Sequence, residues 1–152
     1  MLDLYAELRR VVQALEAAGI AYGVAGGVAV SIYATPRATQ DVDLLIAAGD
    51  SERAVAVLEP LGFRATRHAI RVAGGRLEIQ RLIKIEGADL LPIDLLSAID
   101  ADLARAVSER TSVAWEGTSL WLVSVGGLRH LKRLRNSAQD RADLEALGPE
   151  TP

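Results

Sequence analysis

The chain has 152 residues, half of them apolar, with 17 basic and 20 acidic side chains and a net charge of −3. That length suits one domain with its own core, and the apolar half excludes a disordered chain. The negative balance argues against non-specific wrapping of nucleic acid, and the lack of cysteine excludes a disulfide scaffold, a thiolate zinc site and a cysteine nucleophile.

Leu4, Leu8, Val11, Leu15 and Ala18 recur at helical spacing, which predicts an amphipathic first helix ending near Gly19. Its Asp3 and Glu7 precede the first arginines, so the start makes a poor signal peptide. Residues 17–36 carry no charge, but their bulk is alanine and glycine, whereas a membrane span needs about 20 strongly apolar residues. The expected compartment is the cytoplasm, with no membrane partner. A short strand over Ile20–Val24 leads to a Gly26-Gly27 turn and a short helix, "VAVSIYA", which "TPRAT" breaks. "QDVDLLIAA" reads as a strand with Val42, Leu44 and Ile46 on one face and Asp41, Asp43 and Leu45 on the other. A helix follows over residues 50–62, with Asp50 or Ser51 as cap and Gly62 as stop.

"FRATR" and "AIRVA" suggest two modest strands, Gly74-Gly75 a turn, and the alternation in "RLEIQRLIKIE" a longer strand. Another strand is expected around Ile93 to Leu95, then a helix from Ala98 to about Glu109, and two short strands around Glu116-Gly117. Two helices close the chain, "VGGLRHLKRLRN" and "SAQDRADLEALG". The expected class is α+β: a small mixed sheet flanked by helices, with C-terminal helices. Residues 1–123 would form the core, and residues 124–152 a helical segment completing the same domain.

Asp41, Asp43 and Asp94 are the residues that need explaining. Each lies in an apolar strand, and residues two apart on a strand point the same way. Like charges on one strand face are costly unless compensated, and a magnesium ion would compensate them. If the strand of Asp94 lies beside that of Asp41 and Asp43, the three acids share one exposed face. Such a cluster can hold two metal ions or supply a base. The plain alternative is a set of acids on a solvated face. Two histidines leave little room for a nitrogen-rich centre, so any metal would be a hard ion on oxygen. Gly26-Gly27 would let backbone amides approach a phosphate, or would serve only as a tight turn.

The order strand, Gly26-Gly27, short helix, then Asp41-Val42-Asp43, with Asp94 on a later strand, resembles the nucleotidyltransferase superfamily of the polymerase-beta type. The stretch from Gly26 to Ile46 looks more particularly like the small bacterial branch of AbiEii-type toxins, in which an arginine and a Thr or Ser precede the acids, as Arg37 and Thr39 do here. Lys132 ahead of the "DRADL" helix is also family-like. The lack of a serine at position 27 and Gln40 in place of a cation depart from the pattern.

The resemblance implies transfer of a nucleoside monophosphate from a nucleoside triphosphate to an acceptor hydroxyl. It implies two magnesium ions on Asp41, Asp43 and Asp94, and donor binding by Gly26, Gly27, Arg37, Thr39 and Lys132. The acceptor would be an RNA end such as that of tRNA, a protein or a small molecule. The chain could be the toxin of a toxin–antitoxin pair with a cognate antitoxin as partner, or a non-catalytic nucleotide- or partner-binding relative such as the antitoxin component. His68 receives no role, His130 is expected on the helix surface, and Trp115 and Trp121 are expected against the core.

Overall fold

The computed structural model describes residues 1–34 and 39–148. Helix α1 spans Leu4–Ala17, capped at its start by the Asp3 carboxylate, which accepts from the Tyr5 and Ala6 amides. Strand β1 (Tyr22–Ala25) runs straight into helix α2 (Gly26–Tyr33). Strand β2 covers Val42–Ala47 and helix α3 Ser51–Leu58. The short β3 (Arg64–Ala65) and β4 (Ile70–Val72) precede a long hairpin, β5 (Leu77–Glu86) and β6 (Asp89–Ala98). Helix α4 (Ala101–Ser108), strands β7 (Thr111–Trp115) and β8 (Thr118–Leu122), and helices α5 (Val125–Arg135) and α6 (Ala138–Leu147) complete the described chain.

The strands form one mixed eight-stranded sheet in the order β3-β5-β6-β2-β1-β8-β7, with β4 also on β5. β2 lies antiparallel to β1 and parallel to β6, and this fixes the site. Val42, Leu44 and Ile46 join Leu82, Ile93 and Leu95 in the core beneath α1 and α3. The next residues along the strands, Leu45 and Leu96, point to the other face and pack with residues of α2, α4 and α5. The alternation expected for the strand of Asp41 and Asp43 is therefore what divides the two cores. Trp115 and Trp121 pack, half-buried, against the first of them.

Several boundaries differ from the sequence expectation. The helix expected after the glycine pair begins at Gly26 itself, because Gly26 enters with a φ of 61° and β1 leaves no turn residues before it. β1 begins at Tyr22 rather than Ile20, and β6 is ten residues long rather than three, because it pairs along its whole length with β5. That pairing runs to Ala98, so α4 starts at Ala101, where Asp100 accepts from the amides of Asp102 and Leu103. Among the described residues no helix is long and apolar enough to cross a membrane.

Candidate functional site

Asp43 and Asp94 are register partners on the neighbouring parallel strands β2 and β6. Adjacent strands lie about 4.8 Å apart, so the two carboxyl groups leave the same sheet face side by side. Asp41, one residue before β2, is half-buried. The face that carries these acids was expected to be open. Helices packed on it make it a closed one instead: the side chains of Asp43 and Asp94 are only 8% and 3% exposed.

The two buried acids are satisfied very differently. Arg81, opposite Asp94 in the β5–β6 register, donates from Nε and Nη2 to both carboxylate oxygens at 2.8 and 2.9 Å. Asp43 has a weaker partner, Arg135 of α5, whose Nη1 lies 3.5 Å from Oδ2. Among the described residues its buried Oδ1 has no hydrogen-bond partner. Burial pushes the Asp43 carboxyl up to about 6, against the opposing pull of Arg135 and with the help of the neighbouring Asp41 and Asp94 charges.

Gly26 is part of this arrangement. A Cβ added to it would run into the Asp43 carboxylate, and its positive φ disfavours a side chain independently. Gly26 and Gly27 form the first turn of α2, whose N-cap Ala25 supplies no side-chain hydrogen bond. That end of a helix has amide groups to offer an anion. Thr39 donates to the Asp41 carbonyl oxygen at 3.2 Å. Arg37 falls outside the described residues.

Lys132 is buried on α5, with its ammonium 3.2 Å from Asp140 and 2.9 Å from Asp143, both on α6. Burial raises the Asp140 carboxyl, but hydrogen bonds from Ser137 and Lys132 outweigh it and hold the group below its usual value. The "DRADL" sequence is thus the acidic seat of Lys132, and the Lys132 charge still reaches Asp43.

An orphaned carboxylate oxygen, an all-oxygen donor set and a glycine that clears space beside it suit a hard divalent cation. Asp41 and Asp43 are the residues that could hold one. A second group also has metal-binding capacity. Ligand atoms of Asp100, Asp102 and His130 lie within 4.8 Å of one another. This cluster is separate from the sheet acids, since about 13 Å of strand lies between Asp94 and Ala98 alone. His130 is consequently half-buried, its Nε2 3.4 Å from the N-cap Asp100, and not the surface residue expected.

Sequence reading missed Arg81, Arg135 and the Asp100–Asp102–His130 group. Arg81 had a usable signal: counting six residues outward from each side of the Gly87-Ala88 turn brings Arg81 opposite Asp94. Nothing local marks His130 as a neighbour of Asp100.

No protein-family model matches the chain, and no curated protein does. Solved structures do match. Similarity to the antibiotic-resistance factor ANT(2'')-Ia gives a TM-score of 0.61 at 14% identity, over 93% of this chain and 80% of that one. The same protein in complex with adenylyl-2''-tobramycin gives 0.59 at 14% identity, over 92% and 84%. The lincosamide antibiotic adenylyltransferase LnuA, in its lincomycin-bound form, gives 0.59 at 15% identity, over 96% and 97%. At such identities the likeness concerns the course of the backbone. The chain has the nucleotidyltransferase fold of the polymerase-beta type.

Proposed function

We propose that the chain transfers a nucleoside monophosphate from a nucleoside triphosphate to an acceptor hydroxyl. The observation that carries this reading is the pairing of Asp43 with Asp94 across parallel strands, beside the glycine start of α2, in this fold. The acceptor oxygen forms a bond to the α-phosphorus and gives up its proton to water, the bond from that phosphorus to the bridging oxygen breaks, and pyrophosphate leaves with that bond's electron pair. A magnesium ion held by Asp41 and Asp43 would neutralise phosphate charge. Gly26 and Gly27 amides face the donor phosphates. Thr39 and Arg135 complete the donor side, Arg37 would join them as the motif implies, and the Lys132 charge reaches Asp43. Asp94 faces the acceptor and orients its hydroxyl.

A small hydroxylated molecule is the acceptor favoured by the likeness to LnuA and ANT(2'')-Ia. An RNA end or a protein hydroxyl fits the same chemistry. The toxin role, with an antitoxin as partner, belongs with those macromolecular acceptors and rests on the resemblance of residues 26–46 to the AbiEii-type branch. A second reading, a non-catalytic nucleotide- or partner-binding relative, draws on one observation: Asp94 and Asp43 each already face an arginine. Incubation with each α-labelled triphosphate, magnesium and total RNA, protein or hydroxylated antibiotics separates the two. A labelled acceptor supports transfer. Triphosphate binding without a labelled product supports the second reading.

A further inference from the structure

Arg81 is a cation already sitting where the acceptor-side acid lies. Its planar guanidinium meets both oxygens of Asp94 at 2.8 and 2.9 Å, from the directly opposed position on β5. Bidentate pairing of this kind fixes geometry as well as charge, and a guanidinium stays charged at every accessible pH. Removing one partner would leave a buried charge uncompensated.

Asp43 provides the contrast. Among the described residues its buried Oδ1 has no hydrogen-bond partner, and Arg135 is 3.5 Å from the other oxygen. One acid of the pair is thus satisfied and the other has a coordination position to fill. Among the described residues the group whose ligand atoms converge within 4.8 Å is Asp100, Asp102 and His130, so the three sheet acids do not form a closed carboxylate cage.

We propose that Arg81 is the resident cation on the acceptor side of the site, so that Asp94 holds Arg81 in place of a second metal ion and the sheet acids bind one divalent ion, on Asp41 and Asp43. This rests on the nucleotidyl-transfer reading and departs from the two-ion expectation. The charge neutralisation that a second ion would provide comes from the protein itself. Asp94 then serves to position Arg81, and both act on the acceptor without ligating metal.

Mn2+ binding tests this directly, read by electron paramagnetic resonance of the free ion. An Asp102→Asn background removes the separate Asp100–Asp102–His130 group from the count. One tightly bound Mn2+ per chain is expected there, lost on adding Asp43→Asn. Adding Arg81→Gln and Asp94→Asn together removes the pair without leaving an unpaired charge, and should change the Mn2+ affinity by no more than about twofold, since Asp94 is not a ligand. Adding Arg81→Gln alone should let a second Mn2+ bind. Two ions bound with Arg81 present, a loss of about tenfold or more in affinity in the Arg81→Gln/Asp94→Asn protein, or a single ion in a folded Arg81→Gln protein would overturn the proposal. Should Arg81→Gln alone fail to fold, the Arg81→Gln/Asp94→Asn arm decides alone. No Mn2+ bound at all would remove the nucleotidyl-transfer reading itself, a result distinct from two ions.

Discussion

Gly26 stands directly over Asp43: any side chain at position 26 would overlap the Asp43 carboxylate. From the sequence, the glycine pair suits a phosphate-binding turn or a plain tight turn. The structure adds a second demand on Gly26, since the residue must hold a φ of 61° and leave the acid its space. Gly26→Ala should destabilise the protein by about 1–3 kcal/mol, the usual cost of a strained backbone position, and should also displace Asp43. Thermal unfolding and Mn2+ affinity check the two effects. A variant with wild-type stability would show that the chain can pass from β1 into α2 without the positive φ at position 26.

Burial raises the Asp43 carboxyl from 3.8 to about 6, which gives a definite pH dependence in the absence of metal. The folded state binds this proton more tightly than the unfolded chain. The resulting stabilisation is fully present below pH 4 and is lost as pH rises through about 6. Asp43→Asn lacks the titration. In chelator its stability relative to wild type should therefore rise from pH 4 to pH 7, by an amount on the order of 3 kcal/mol. Denaturant unfolding of both proteins across that range measures the difference. A constant difference would mean that Asp43 is not held in a desolvated state.

Lys132 joins α5 to α6 through Asp140 and Asp143. Lys132→Ala takes the ammonium partner from two buried carboxylates, and loss of one partner in a buried pair typically costs about 3–5 kcal/mol. The expected outcome is a marked fall in thermal stability even without nucleotide. If stability is unchanged and only triphosphate affinity falls, the lysine belongs to the donor site alone.

The sequence revealed the acids because strand parity is local. An Asp two residues from another, or flanked by Ile93 and Leu95, declares its face without knowledge of the rest of the fold. The helix ends at Gly19 and Gly62 were legible for a similar reason: both glycines take positive φ where a helix or helical turn stops. What stayed hidden depends on contacts between distant elements. Closure of the acid-bearing face follows from α2, α4 and α5 packing on it, and the strands alone carry no mark of that. Arg135 sits in a basic run whose solvated and buried members look alike until α5 is docked; in the structure Arg129 is turned to the carbonyls of Leu147 and Gly148, and Arg135 to Asp43.

Nucleotidyl transfer by this chain requires Asp43 to hold the metal. Labelled-product formation in magnesium, compared between wild type and Asp43→Asn with all candidate acceptors present, tests it most directly. Asparagine is nearly isosteric and removes the charge, so the expected variant is folded and at least as stable as wild type in chelator at pH 7, with transfer abolished. Transfer at the wild-type rate by the folded Asp43→Asn protein would contradict it.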